Sequence, residues 1–130
     1  MSKFREFITE NGVLVLGGRS DKNNEDLVAQ VGSKEVVLHT KAPGSPFVNL
    51  KHEKPAQKDI KQAAVFCAKY SQDWRDNKRD IIVHRFKGAD VYKRKGMKTG
   101  TFGVKGAKEI KVKKQDIEKF EKCQNTEKSN

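Results

Sequence analysis

The sequence of 130 residues predicts an α+β domain with a mixed, largely antiparallel sheet, two main helices and a short C-terminal helix. Short apolar runs of strand length outnumber the helical stripes. These runs are joined both by tight-turn signals and by helices, so we expect hairpins and crossovers together. The length favours one domain, which we expect to occupy residues 1–122, followed by a polar, frayed tail at residues 123–130.

A β-hairpin is predicted at the N-terminus. Apolar and polar side chains alternate over Lys3–Thr9, as in a strand with one buried face. Asn11-Gly12 accepts the positive φ angles of a tight turn. The continuous apolar run Val13–Leu16 predicts a second strand that is covered on both faces.

Two helices are predicted in the middle of the chain. The first begins at a capping residue, Ser20 or Asp21, and ends just before Gly32, which is suited to follow a helix C-cap. The second begins near Pro55 and carries a stripe of small residues as far as Trp74. We expect this helix to lie close on the sheet, with Trp74 in the core.

The remaining apolar runs predict five strands and a last helix. The strands are Glu35–His39, Phe47–Leu50, Asp80–Phe86, Thr101–Val104 and Glu109–Val112. We expect the last two strands to pair with each other around Gly106, and a short helix to follow at Gln115–Lys122.

Positive charge is concentrated in one third of the chain. The whole sequence has a net charge of +11, and the segment Arg75–Lys114 carries 14 Lys and Arg against 4 Asp and Glu, a net of +10. A concentrated charge creates a local field that attracts polyanions, and nucleic acid is the leading partner class for such a protein.

The sharpest feature within this segment is Lys93–Gly100, which places four cations around two glycines. Glycine lets a backbone approach a phosphate closely. Lys93, Arg94, Lys95 and Lys98 are therefore candidate phosphate contacts. The alternative interpretation is a solvated hairpin turn with ordinary surface lysines.

Five further residues are candidates for nucleic-acid binding. Arg19 would project near a helix N-terminus, where anions bind, but it could equally make a structural ion pair. His39 precedes a Pro- and Gly-containing loop and could contact a ligand or order that loop, whereas Lys41 lies within it. Tyr92 is a candidate for stacking on bases, and Arg85 adds a cation within the basic segment.

Other chemistries have weaker support. The sequence has no nucleotide-cofactor motif, and we expect no bound cofactor, metal or small-molecule substrate. Asp73 and Asp76 could suggest a metal-dependent nuclease, but basic residues interleave them, which favours ion pairs. Cys67 is expected to be buried and Cys123 incidental. The chain has no signal-peptide pattern and no apolar run of membrane-spanning length, so a cytoplasmic protein without membrane contact is expected.

The order of these motifs resembles the NFACT-R domain, the RNA-binding module of the NFACT proteins. The matching stretches are Phe4–Phe7, Gly12–Arg19, Asn23–Glu25, Leu38-His39, Pro43–Ser45, Ala63–Trp74, Val91 and Lys93–Phe102. The resemblance extends over roughly residues 4 to 112. It implies an RNA-binding α+β domain without catalysis of its own.

The full-length relatives are ribosome-quality-control factors that bind large ribosomal subunits and help recruit tRNA for C-terminal tailing. The resemblance therefore implies tRNA or ribosomal RNA as the partner, and the large subunit as a further one. The other NFACT regions are missing from this sequence. Met1 and the polar tail favour a standalone version over a fragment.

Three functional hypotheses remain open from the sequence. The leading one is an RNA-binding module that contacts tRNA or ribosomal RNA. A DNA-binding or protein-binding adaptor could use the same basic surface. A metal-dependent enzyme that processes nucleic acid could use the charge to guide its substrate.

Overall fold

The computed structural model describes the backbone of residues 3–129 and the side chains of residues 3–123. Over this range the chain forms eight strands and four helices, with a short 3-10 turn at Gly88–Asp90. In order they are β1 (Arg5–Ile8), β2 (Leu14–Gly17), α1 (Asp21–Ala29), β3 (Val36–Thr40), β4 (Val48–Leu50), α2 (Gln57–Lys69), α3 (Gln72–Asn77), β5 (Ile81–Lys87), β6 (Val91–Tyr92), β7 (Gly103–Val104), β8 (Lys108–Val112) and α4 (Lys114–Ser129).

Six strands form one sheet in the order β1-β2-β4-β3-β5-β8, and β6 and β7 form a separate two-stranded ribbon. All strand pairs within the described residues are antiparallel. The predicted N-terminal hairpin is confirmed, with Phe7 opposite Val15. The α+β class with a largely antiparallel sheet is therefore confirmed.

The two faces of the large sheet are covered by different parts of the chain. One face packs against α2, α3 and α4, and its core includes Val15, Leu38, Val83, Phe66 and Trp74. The other face is smaller and packs against α1 and the β6–β7 ribbon, as the core cluster containing Leu16, Leu27, Val37, Phe47 and Phe86 shows. The candidate interface lies on this second face.

The second predicted helix is broken into two. Helix α2 ends at Lys69, and α3 begins after Ser71, whose hydroxyl accepts a hydrogen bond from the Trp74 amide at 3.1 Å and donates one to Ala68 O at 2.7 Å. A serine that caps a new helix offers the backbone an alternative to continuing the old one. The prediction that Trp74 is buried is confirmed, since its side chain is 2 % exposed.

The predicted pairing of Thr101–Val104 with Glu109–Val112 is wrong. Strand β7 pairs with β6, so that Tyr92 lies opposite Gly103, whereas β8 pairs with β5 in the large sheet. The reason is that the two segments bury side chains on opposite faces. Val112 belongs to the core under α2, and Val104 packs with the core under α1.

The helix ends also differ from the prediction. Helix α1 ends at Ala29 with Gln30 as its C-cap, so Gly32 does not follow the cap as expected. Helix α4 spans 16 residues and is longer than the predicted short helix, because neither Gly nor Pro interrupts residues 114–129. The predicted tail at residues 123–130 has a helical backbone as far as Ser129, and its side chains beyond Cys123 lie outside the described residues. The domain limits at residues 1–122 remain a prediction.

None of the described helices is long and apolar enough to cross a membrane.

Candidate nucleic-acid interface

The residues Lys93–Gly100, here called the basic loop, connect β6 to β7 and are closed by one of their own cations. The Lys93 ammonium donates hydrogen bonds to the carbonyl oxygens of Lys98 at 2.6 Å and Thr101 at 2.7 Å. It also lies 4.6 Å from the centre of the Phe102 ring. Hydrogen bonds from a charged donor are stronger than neutral ones, so Lys93 holds the two ends of the basic loop together.

Helix α1 anchors the basic loop to the rest of the protein. Lys93 forms an ion pair with Glu25 at 3.3 Å. Gly100 has a φ of +82° and lies so close to α1 that a Cβ there would be 2.6 Å from Asp21 Cα. Asp21 and Glu25 are one helical turn apart, so the basic loop follows one flank of α1.

Three cations of the basic loop take no part in these anchoring contacts. Arg94, Lys95 and Lys98 are exposed, and within the described side chains none of them forms an ion pair. The Arg94 guanidinium lies 4.9 Å from the centre of the Tyr92 ring. The loop therefore presents three exposed charges on a backbone whose shape is fixed.

The ring of Tyr92 is already engaged by its neighbours. It covers Gly103 on the paired strand, where the space for a Cβ is filled by the ring. Arg94 and Lys105 both lie over the ring. Tyr92 therefore supports the basic loop from below and positions Arg94.

A pocket of about 250 Å³ opens beside the basic loop. We call it the aromatic pocket, because Phe47, Phe86 and Phe102 line it. The Phe47 and Phe102 rings meet edge to face with 5.3 Å between centroids. Asp21, Asn24, Gly100 and His39 add the polar part of its wall, so the pocket shares Gly100 with the basic loop.

The imidazole of His39 has a defined tautomer. Its Nδ1 lies 2.7 Å from Thr40 O, and a carbonyl oxygen only accepts, so Nδ1 carries the proton. Burial lowers the pKa of His39 below its ordinary value, and the nearby His84 lowers it further, although the Thr40 hydrogen bond opposes this. His39 is consequently neutral at pH 7, and its Nε2 is a hydrogen-bond acceptor.

Arg19 lies on the other flank of α1. Its Nη2 donates to Phe4 O at 3.4 Å, and its backbone amide donates to the Asn23 side chain at 2.8 Å. On the same flank, Asp26 forms an ion pair with Lys3. The structure therefore gives Arg19 a backbone partner near the N-terminus and separates its guanidinium from the basic loop by the width of a helix.

Neither Lys41 nor Arg85 has a described contact with the basic loop. Lys41 forms an ion pair with Glu109 at 3.4 Å, and the same carboxylate oxygen lies 3.4 Å from Nε2 of His84, which lines the aromatic pocket. Arg85 faces the side of the sheet that α2 covers, since it lines a groove with Ile60 and Val112. Among the nucleic-acid-binding candidates predicted from the sequence, His39, Tyr92 and the cations of the basic loop lie near one another in the fold.

The acidic residues near Trp74 form ion pairs, as predicted. Asp73 pairs with Arg79 at 3.0 Å, and Asp76 pairs with Arg75 at 2.9 Å. Among the described residues, no group of three or more His, Cys, Asp or Glu side chains could hold a metal ion. Cys67 is buried, and this burial raises the pKa of its thiol to about 12.

Sequence reasoning missed Asn24 and Phe47 as parts of the site. The Asn24 side-chain oxygen accepts from the Phe47 amide at 3.2 Å, and it lies so close to Gly18 that no side chain fits there. The signal was present in the sequence, since a polar residue on the buried face of a helix must find a partner. Its partner could not be foreseen because it comes from a loop 23 residues away.

The sequence profile of the NFACT protein RNA binding domain matches residues 3–106 of this chain. The chain belongs to the NFACT RNA-binding domain family. The match includes β6, the basic loop and β7, and it ends before β8. No curated protein matches the sequence.

A solved structure shows the same fold for this NFACT RNA-binding domain. The structure of the C-terminal part of the fibronectin/fibrinogen-binding protein from Streptococcus suis superposes with a TM-score of 0.79 at 19 % sequence identity. The superposition covers 92 % of this chain and 49 % of that one, so the chain spans about half the length of the solved structure.

Proposed function

We propose that this NFACT RNA-binding domain is a cytoplasmic RNA-binding module that contacts tRNA or ribosomal RNA. Its role lies in translation or ribosome quality control, with the large ribosomal subunit as the surface on which it works. It binds RNA without carrying out a reaction itself. The observation that carries the proposal is the basic loop, which Lys93 closes internally while Arg94, Lys95 and Lys98 remain exposed.

A loop binds phosphates more tightly when its conformation is already ordered before binding. A flexible lysine-rich loop loses conformational freedom when it binds, and this loss weakens the complex. Here the loop is already ordered by the Lys93 hydrogen bonds and by the contact between Gly100 and Asp21. Its three exposed cations can therefore neutralise phosphates at a low ordering cost and release condensed counterions.

The salt dependence of RNA binding tests this proposal. Log K should fall by about 0.7–0.9 per contacted phosphate for each tenfold increase in salt. Replacing Arg94, Lys95 and Lys98 together by alanine should reduce that slope by about 2 units or more. The measurement is a titration of labelled tRNA at several salt concentrations.

A matched variant controls for net charge. Lys58, Lys61 and Lys119 are exposed and line one groove beside α2 and α4. Replacing these three by alanine removes the same charge and should leave the slope nearly unchanged. Equal slopes for the two triple variants would contradict the assignment of the interface to the basic loop.

Competition at one fixed salt concentration identifies the nucleic acid. Unlabelled tRNA and ribosomal RNA fragments should displace the labelled tRNA at lower concentrations than duplex DNA of equal phosphate content. Equal competition by duplex DNA would favour the adaptor hypothesis instead.

A further inference from the structure

The aromatic pocket and the basic loop are parts of one continuous surface. Gly100 ends the loop and lines the pocket, and Thr101 and Phe102 follow it in the pocket wall. A nucleotide whose phosphate lies on the basic loop would therefore have its base within reach of the pocket. In a complex with RNA, the pocket would therefore lie beside a nucleotide bound at the basic loop.

The walls of the pocket are suited to a planar ring. Phe47 is buried, and its ring contacts both Phe102 and the His39 imidazole, whose centroid is 4.6 Å away. Phe102 is held in turn by the Lys93 ammonium over its ring. Unpaired RNA bases are commonly recognised by contact with aromatic side chains.

The size of the pocket limits its occupant to a single base. A volume of about 250 Å³ is below the roughly 300–1,000 Å³ of pockets that hold drug-sized ligands. A base pair has no access to such a cavity, so the base must be out of its stack. A pocket of this size would accept an unpaired base and not a base pair.

Two polar atoms at the pocket lack a protein partner. Among the described residues, every buried side-chain nitrogen and oxygen has a hydrogen-bond partner. The Nε2 of His39 and the Nδ2 of Asn24 have none, since their only recorded bonds use Nδ1 and Oδ1 respectively. Neither atom is therefore fully buried, and the two offer one acceptor and one donor.

From this geometry we propose that the aromatic pocket is a subsite for one unpaired nucleotide of the bound RNA. The base lies against Phe102, which packs on the buried Phe47, and an N–H of the base or the ribose 2′-hydroxyl donates a hydrogen bond to His39 Nε2. This proposal rests on the proposed function, because the basic loop supplies the phosphate contacts. It adds a base-dependent component to binding that is otherwise governed by charge.

The test compares two probes with the same backbone charge. One is an eight-nucleotide oligoadenylate RNA, and the other is an abasic ribose-phosphate strand of the same length. The wild-type protein should bind the adenylate roughly 5- to 150-fold more tightly, the range expected for contact of a base with aromatic side chains. Equal affinities would overturn the proposal.

Two variants assign the preference to the pocket. Phe102→Leu keeps an apolar side chain against Phe47 but removes the ring, and His39→Asn keeps a side-chain N–H near Thr40 O but removes Nε2. Each should reduce the preference for adenylate over the abasic strand, and His39→Asn should do so by about 2- to 10-fold without changing the affinity for the abasic strand. If both variants kept the wild-type preference, the base would not lie in this pocket.

Further arms separate the remaining alternatives. His52→Asn changes an exposed histidine whose Nδ1 accepts from the Lys54 amide, and it should have no effect on the preference for adenylate.

A 2′-deoxy oligoadenylate should lose affinity only if the 2′-hydroxyl is the donor to His39, whereas an unchanged affinity would assign the bond to the base. The triple alanine variant of Arg94, Lys95 and Lys98 should weaken both strands equally. Unequal weakening of the two strands, or no weakening, would count against the proposed function. Whether the pocket binds a base is decided separately, by the preference of the wild-type protein for the adenylate strand.

Discussion

The ammonium group of Lys93 makes four contacts within the protein, which occupy the charge that could otherwise bind a phosphate. It bonds to two carbonyl oxygens, pairs with Glu25 and covers the Phe102 ring. Residue type alone could not distinguish this lysine from Lys95, two positions later. The two lysines have different contacts because the loop backbone, with positive φ at Gly96 and Gly100, places their side chains in different surroundings.

Changing Lys93 to Met should therefore lower the stability of the protein more than it lowers the salt dependence of RNA binding. Loss of the charged hydrogen bonds should cost about 1 kcal/mol of unfolding free energy, because the side chain is partly exposed. Lys95→Met should leave the urea midpoint unchanged but reduce the salt dependence of RNA binding. The opposite pattern would reverse the roles of the two lysines.

The pKa of His39 makes a second prediction at the residue scale. Its folded-state value lies below its unfolded value because burial disfavours the charged form. The unfolded chain therefore binds more protons at mildly acidic pH, and stability falls as the pH drops below the ordinary value near 6.5. Above that value the contribution of His39 is fully retained.

The check is urea unfolding of the wild type and His39→Asn between pH 7.5 and 5.5. The wild type should lose stability relative to the variant as the pH falls. The other titratable groups that face His39 across the pocket are His84 and Asp21; both are present in the two proteins, so only their interaction with His39 differs between them. A constant difference between the two proteins would show that the pKa of His39 is not lowered.

At the level of single elements, the two glycines of the basic loop have different tasks. Gly96 and Gly100 both have positive φ, at +92° and +82°. A Cβ at Gly96 would meet nothing within 4 Å, whereas one at Gly100 would collide with the backbone of Asp21. Gly96 permits the turn, and Gly100 permits the loop to dock on α1.

Alanine at each position separates these effects. Gly96→Ala should cost about 1–2 kcal/mol of unfolding free energy, the penalty for a left-handed conformation. Gly100→Ala should cost more and should also weaken RNA binding, because the loop must leave α1. Urea denaturation together with the tRNA titration measures both, and equal effects of the two changes would contradict the docking role.

The elements show where prediction from sequence succeeds. Most of the run Val13–Leu16 and the run at Ile81–Val83 form strands, because short apolar runs with β-branched residues have few other ways to be buried. The pairing of β7 was missed because it depends on which sheet face each side chain reaches, and no local pattern encodes that. The break at Ser71 was missed because the apolar stripe continues across it.

At the scale of the whole molecule, the charge and the core are distributed unequally over the two sides of the sheet. Helices α2, α3 and α4 cover one side with most of the core. The basic loop and the aromatic pocket lie on the other side, with α1. The sequence revealed the excess charge of the segment, but only the fold shows that Arg85 is directed away from the basic loop.

The C-terminal limit of the domain gives a prediction at this scale. Ile117 is fully buried, Phe120 packs against the same core, and Glu121 accepts a hydrogen bond from the Trp74 indole at 3.3 Å. A chain that ends after Lys122 should keep its thermal midpoint and its affinity for tRNA. A chain that ends after Asp116 should unfold at a much lower temperature, and Trp74 fluorescence reports both transitions.

The ribbon of β6 and β7 is inserted between two strands that are direct neighbours. Arg85 of β5 lies opposite Lys108 of β8, so the chain leaves the large sheet and returns to it at nearly the same point. Residues 88–107 can therefore lengthen, shorten or be exchanged without shifting the register of any strand in that sheet. A graft of this segment from a related domain would transfer the phosphate contacts of its loop as a unit, while the framework that receives it keeps its own hydrogen-bond ladder and its own His39 and Phe47 in the pocket wall.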